Sequence, residues 1–269
     1  MSRVAVVTGA ARGIGAATVL GLAAAGWAVV AVDRDTDDPR LPYPMGTAAE
    51  LDAVVASALA VPGAGPSAHR IVAHPADTTD PDALGAAVAD AEERFGGLDA
   101  MVVVAGVIAG GVPLWEMPAD QLGAVLGVDL GGPITAARVG IPALLRRAEP
   151  RSGRFLAVAS AAATRGLPML SAYGAAKAGV AGLVRGLAAE LADTGVTANA
   201  ISPGSTDTAM LAESARLYGL DDTRSFADNQ PVKRLLTPGE VAASLVWLAG
   251  PESGALTGAV IPVDGGLSL

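Results

Sequence analysis

Val4-Ala5-Val6-Val7-Thr8-Gly9-Ala10-Ala11-Arg12-Gly13-Ile14-Gly15 opens the chain, and its reading decides the fold. Val4–Thr8 is a short apolar, β-branched run, which reads as a strand. Three glycines follow, and then an alanine-rich stretch to about Ala25 with helical character. Glycines permit a tight turn and a close backbone approach. A helix starting directly after it offers unpaired N–H groups and a partial positive charge. Strand, turn and helix in this order form a cradle for a dinucleotide pyrophosphate.

Working outward, the same alternation recurs. Trp27–Val32 reads as a second strand ending at Asp33, and His69–Ala73 as a third. Ala83–Phe95 is an amphipathic helix behind the N-cap candidate Asp80 and Pro81. Ala100–Ala105, Arg154–Ala159, Val196–Ile201 and Ala259–Val263 supply further strands. Pro118–Arg147, Ser171–Asp193 and Pro238–Ala249 supply helices, the first bent near Gly131-Gly132-Pro133. The strands are continuous apolar runs rather than alternating ones, as expected where helices cover both faces. The expectation is an α/β fold: one Rossmann-type, doubly wound parallel sheet of about seven strands within a single domain, 1–269. One segment breaks the rhythm. The stretch 34–67 is longer than a loop plus helix requires; it carries Pro39, Pro42 and Pro44, a helix over Thr47–Ala60, and Pro62-Gly63-Ala64-Gly65-Pro66. It reads either as a functional excursion or as a tolerated surface insertion.

Composition narrows the chemistry. Of 269 residues, 51% are hydrophobic, enough for a sizeable core, and only 3% are aromatic, so that core is built from Ala, Val, Leu and Ile. A net charge of −9 argues against a nucleic-acid binder. With no cysteine, disulfides, thiolate metal sites and Cys nucleophiles are excluded, and a reducing, cytoplasmic setting fits. His69 and His74 show no metal-ligand spacing. Gly13–Val32 lacks charge over the length of a membrane span, but its glycines favour helix, turn and strand. No targeting segment is evident.

Asp33 ends strand two, eighteen residues beyond Gly15. A carboxylate there accepts hydrogen bonds from adenosine ribose hydroxyls and repels a 2′-phosphate, which selects NAD over NADP. Arg12 and Arg34 nearby keep an NADP-binding alternative in view. Tyr173-Gly174-Ala175-Ala176-Lys177 places a phenol and an ammonium on one helix face. The ammonium is expected to lower the phenol's pKa from about 10 and make Tyr173 a usable acid–base. Ser160, at the end of strand five, can hold a substrate oxygen beside it.

Together these residues resemble the short-chain dehydrogenase/reductase family over nearly the whole chain. Thr8–Gly15 is similar to its glycine motif, Ser160 with Tyr173 and Lys177 to its active site, Pro203-Gly204-Ser205-Thr206-Asp207-Thr208 to its nicotinamide loop, and Asp264-Gly265-Gly266 to its C-terminal turn. The resemblance implies a hydride transfer between NAD(H) and an alcohol or ketone, with Ser160 positioning the substrate, Tyr173 exchanging the proton and Lys177 binding the nicotinamide ribose. It implies cofactor contacts at Gly9, Arg12, Gly13, Ile14, Gly15, Asp33, Asp77, Thr78, Ala105, Gly106, Val128, Tyr173, Lys177, Pro203, Gly204, Thr206 and Thr208. Asp77 stands where the family contacts adenine. A homotetramer is the family's usual assembly.

Two departures stand out. The family's Asn-Asn-Ala-Gly after strand four is Val103-Val104-Ala105-Gly106 here, and its helix-four asparagine, which helps hold a relay water, is Asp129. An ionised aspartate can still accept from water but cannot donate. The insertion with Tyr43-Pro44, Asp129, and the runs Ala109–Glu116 and Ser202–Thr208 resemble the mycofactocin-coupled subgroup, whose members hold NAD(H) tightly and pass electrons to a peptide-derived carrier. The rival readings are an NADPH ketoreductase, opposed by Asp33, and a catalytically silent NAD-binding protein, opposed by the intact Ser160, Tyr173 and Lys177. A serine hydrolase lacks its Gly-x-Ser-x-Gly elbow. Enoyl reductases usually space Tyr and Lys more widely. Met169, Leu170, Met210, Leu211, Leu217, Tyr218 and Phe226 are expected to line an apolar substrate pocket.

Overall fold

Strands rich in Val and Ala need apolar cover on both faces, and the computed structural model provides it; the structure describes residues 2–61 and 70–269. The strands are β1 (Val4–Thr8), β2 (Ala28–Asp33), β3 (Ile71–Pro75), β4 (Ala100–Val103), β5 (Arg154–Val158), β6 (Thr197–Pro203) and β7 (Val260–Val263). They form one parallel sheet in the order β3-β2-β1-β4-β5-β6-β7. The helices are α1 (Gly13–Ala24), α2 (Ala48–Leu59), α3 (Pro81–Phe95), α4 (Ala119–Leu126), α5 (Gly132–Leu145), α6 (Ser171–Glu190), α7 (Ala209–Leu217) and α8 (Pro238–Ala249).

The two-residue period of β1 divides the core. Val4 and Val6 pack with Leu84, Val88, Leu144 and Val184 from α3, α5 and α6. Ala5 and Val7 pack on the other face with Val19, Leu22, Leu51 and Leu245 from α1, α2 and α8. Chain order reverses at β1, which has β2 on one side and β4 on the other. The loops at the carboxyl ends of β1 and β4 therefore diverge and leave a crevice, the usual ligand position in such sheets.

Several expectations shift in detail. β3 runs from Ile71 to Pro75, two residues beyond the anticipated end, while His69 and the Pro62–Pro66 turn lie outside the described residues. β4 stops at Val103 instead of Ala105, because the next two N–H groups, of Val104 and Ala105, turn to the Thr8 hydroxyl, each at 3.2 Å. That hydroxyl braces β1 against the loop where the family's asparagines are missing. The long helix is continuous from Ala119 to Leu145 but passes through a widened π turn at Gly127–Gly131. Pro133 has no N–H to return to the carbonyl of Asp129, and the bonding steps out to longer spacing, with Gly132 N–H donating to Gly127. By length and composition Ala119–Leu145 is apolar enough to cross a bilayer, yet half of its apolar window is buried in the fold. Gly13–Val32 is α1 followed by β2.

Candidate active site

A cleft of about 800 Å³ opens at the carboxyl ends of β1 and β4. Every residue assigned above to the nucleotide lines it, as do Ser160, Tyr173 and Lys177; Asp129 does not. The glycine turn fits a pyrophosphate because its backbone is laid bare. A Cβ on Gly15 would stand 1.9 Å from the Gly9 carbonyl oxygen, and one on Gly9 would stand 2.7 Å from Ala105 Cα, so only glycine is accommodated. The nicotinamide loop folds over this turn, with Thr208 Cγ2 placed 3.2 Å from where a Gly13 Cβ would be. Thr208 caps α7 through Leu211 N–H, and Thr206 donates to the Gly204 carbonyl. The Thr78 hydroxyl is buried with no partner among the described residues, a polar group available to a ligand in the cleft. These features fit a dinucleotide.

At the adenosine end, Asp33 accepts from Ala11 N–H and from Arg34 N–H, both at 2.9 Å. Asp77 accepts from Thr79 and lies 3.7 Å from Arg34. The insertion returns here. Gly46 packs against the Asp33 carboxylate, and Arg12 donates to the Pro44 carbonyl at 3.0 Å. Tyr43 reaches further and accepts from Ile108 N–H at 2.8 Å. Leu41 and Met45 bury themselves with Val107, Ile108 and Val128. Asp38 anchors the root of the excursion, accepting from both Arg34 and Arg40, and these bonds hold its carboxyl well below the usual range.

At the other end, Tyr173 and Lys177 sit on consecutive turns of α6, both buried. Ser160 follows β5 and accepts from Ala162 N–H. Lys177 Nζ donates to the Val158 carbonyl and meets Asp129 Oδ1, each at 3.0 Å. One expectation is corrected. The ammonium does not bring the phenol below its ordinary pKa. Burial raises Tyr173, Lys177 pulls it down, Asp129 pushes it up and Ser160 pulls it down, and the net direction is upward. Asp129, at the position where the family holds a relay water, turns its carboxylate onto Lys177 and Val107 N–H.

The apolar end of the cleft includes Leu170, Met210, Leu211, Tyr218 and Phe226, with the last two rings edge to face at 6.3 Å. Met169 and Leu217 do not line it; Leu217 borders a separate small cavity with Pro42 and Gly111. Gln230, which the sequence reading did not single out, is fully buried. It accepts from Ser205 N–H and donates to the Arg234 carbonyl, bracing the nicotinamide loop. No local pattern marks it, because Ser205 lies 25 residues away. Gly46 escaped notice for the same reason.

The comparisons agree with this geometry. A family model described as enoyl-(acyl carrier protein) reductase matches residues 9–268. The chain is 40% identical over 266 residues to the short-chain reductase protein NovJ of Streptomyces niveus, covering 98% of this chain and 93% of that one. It is 38% identical to the cis-4-hydroxycyclohexanecarboxylate dehydrogenase of Sinomonas cyclohexanicum, covering 98% and 96%. Among solved structures, carveol dehydrogenase from Mycobacterium avium in complex with NAD superposes with a TM-score of 0.90 at 28% identity, covering 98% and 97%. The chain belongs to the short-chain dehydrogenase/reductase family, and it is an NAD-dependent dehydrogenase or reductase.

Proposed function

We propose that the chain interconverts an apolar alcohol and its carbonyl compound, with Ser160, Tyr173 and Lys177 as the catalytic set. The observation that carries this is the placement of the Tyr173 phenol and the Ser160 hydroxyl in one cleft with the glycine turn. NAD, when bound, takes up or returns the hydride. Ser160 holds the substrate oxygen. In oxidation the Tyr173 Oη accepts the hydroxyl proton, and in reduction it returns that proton to the carbonyl oxygen. Lys177 stands beside the phenol ring, with its Nζ 5.7 Å from the ring centre. The apolar lining suits an apolar substrate body, and two similar proteins are named as dehydrogenases of cis-4-hydroxycyclohexanecarboxylate and of carveol.

The finer reading is a tightly held NAD(H) reoxidised in place by a mycofactocin-type carrier. The strap from Leu41 to Gly46 supports it, since it crosses the adenosine side of the cleft and is tied to both the glycine turn and the loop after β4. A homotetramer in the cytoplasm is the family's usual setting, and the cysteine-free composition agrees with a reducing compartment. The test is to denature purified protein, identify the released nucleotide, and screen alcohols with a redox dye as electron acceptor. Released NAD(H) and dye-dependent turnover support the tight-cofactor reading. Rapid exchange of labelled NAD with ordinary NAD-coupled turnover defeats it and leaves a freely exchanging dehydrogenase.

A further inference from the structure

We propose that Asp129 is a positioning residue, a built-in counter-ion that fixes the Lys177 ammonium and offsets its charge at the Tyr173 phenol. The proposal rests on the assignment of Tyr173 as the proton-exchanging group. Asp129 has no exposed surface, and its Oδ1 lies 3.0 Å from Lys177 Nζ while also accepting from Val107 N–H at 3.2 Å. Among the described residues its Oδ2 is buried without a partner. Such a group is held by geometry rather than by solvent: the π turn at Gly127–Gly131 carries it, and Gly106 is bare enough that a Cβ there would stand 2.7 Å from Oδ1. Together with the Val158 carbonyl, Asp129 engages two of the three ammonium protons.

The electrostatic consequence has a definite sign. An isolated ammonium favours phenolate, whereas a carboxylate beside it disfavours phenolate. Among the described residues the charged groups bearing on Tyr173 are Lys177 on its own helix and Asp129 from the π turn; Ser160 adds a neutral hydroxyl. Tyr43, from the insertion, is itself raised by burial and by the charges of Asp129 and Glu213, so it stays a neutral phenol. Asp129 therefore offsets part of the pull of Lys177 on Tyr173, and burial outweighs what remains of it together with the Ser160 hydrogen bond. Lys177 shows the converse: burial alone would lower it, but Asp129 and Tyr173 hold it raised, while burial raises Asp129 against the pull of Lys177 and the Val107 N–H. An asparagine at 129 would keep an acceptor for Lys177 and Val107 while deleting the charge. The substitution thus separates position from charge.

The experiment follows the phenolate absorption band during alkaline titration of the protein as purified. The chain has three tyrosines, so the difference between wild type and Tyr173→Phe isolates Tyr173. In the wild type that component titrates above about 10, the ordinary phenol value. In Asp129→Asn, measured against the double variant with Tyr173→Phe, it falls by about 1–3 units, the range for one charge at this distance. The alkaline limb of kcat/KM for alcohol oxidation moves down in parallel. A purely structural Asp129 would change thermal stability and leave the titration in place. An unmoved or raised midpoint in Asp129→Asn overturns the proposal. If that variant does not fold, the wild-type midpoint alone decides, and a value at or below about 10 overturns it. Loss of dye-linked turnover in Tyr173→Phe is read separately; if turnover persists, the proton-exchange assignment fails, whatever the titration gives.

Discussion

The Tyr43 hydroxyl accepts a 2.8 Å hydrogen bond from the backbone N–H of Ile108, 65 residues further along the chain. One partner lies on the insertion and the other on the loop after β4, so the bond closes a strap across the nucleotide cleft. Tyr43→Phe keeps the ring and its packing but leaves the Ile108 N–H without its acceptor, at a cost of about 1–3 kcal/mol to the closed strap. Labelled NAD should leave the variant about 5- to 100-fold faster than the wild type, with little change in thermal stability. An unchanged release rate would show that the strap does not gate the nucleotide.

Tyr173→Phe removes the group proposed to exchange the proton and preserves the ring beneath Lys177. Turnover should fall by about 10²–10⁴-fold, while NAD binding, followed by equilibrium titration, persists. Near-wild-type turnover would assign the proton step to another residue.

Asp33 meets the cleft at the end of β2 and also receives the Ala11 and Arg34 N–H groups. Asp33→Ala should weaken NAD binding by about tenfold or more, the loss expected for hydrogen bonds to a charged group. It should weaken NADP binding less, since a repulsive charge disappears. Titration of both nucleotides against wild type and variant checks the ratio, and equal losses for the two would contradict the ribose role.

Asp38 is buried and bonded by Arg34 and Arg40, which depress its pKa in the folded state. A depressed carboxylate contributes stability above its unfolded value of about 4, and the contribution is lost as pH falls through the folded value. Asp38→Asn should therefore destabilise the insertion by about 1.5–3 kcal/mol at pH 7, read as faster proteolysis between residues 34 and 61. The gap between variant and wild type should close only below about pH 4. A gap that widens on acidification would reverse the assigned sign.

The strand–turn–helix opening, the βα alternation and the Tyr173–Lys177 pair were all legible along the chain, because each is a local pattern. Strand length tells where a sheet runs, glycine spacing where backbone is exposed, and a four-residue step which side chains share a helix face. The bend expected near Gly131-Gly132-Pro133 takes the form of a π turn over Gly127–Gly131, since the missing N–H of a proline is felt by the turn before it. Asp33, read from its place at the end of strand two, and Asp77, read from the family resemblance, both line the cleft. The apolar pocket was only partly legible. Met169 and Leu217 have the right composition, but the loop and helix that carry them leave both outside the cleft lining.

By itself the sequence determined the order of elements, the parallel sheet, the glycine turn and the pairing of Tyr173 with Lys177 on one helix face, because these depend on neighbours a few residues apart. Only the tertiary structure decided which partners those residues meet. Asp129 faces Lys177 because the π turn packs beneath α6, and Tyr43 reaches Ile108 because the insertion folds back over the cleft. The charge balance at Tyr173 belongs to the same class. An ammonium four residues away predicts a lowered phenol, but burial and a carboxylate brought from another helix turn reverse the direction. Desolvation is set by everything packed around a group, and no local pattern in the chain records it.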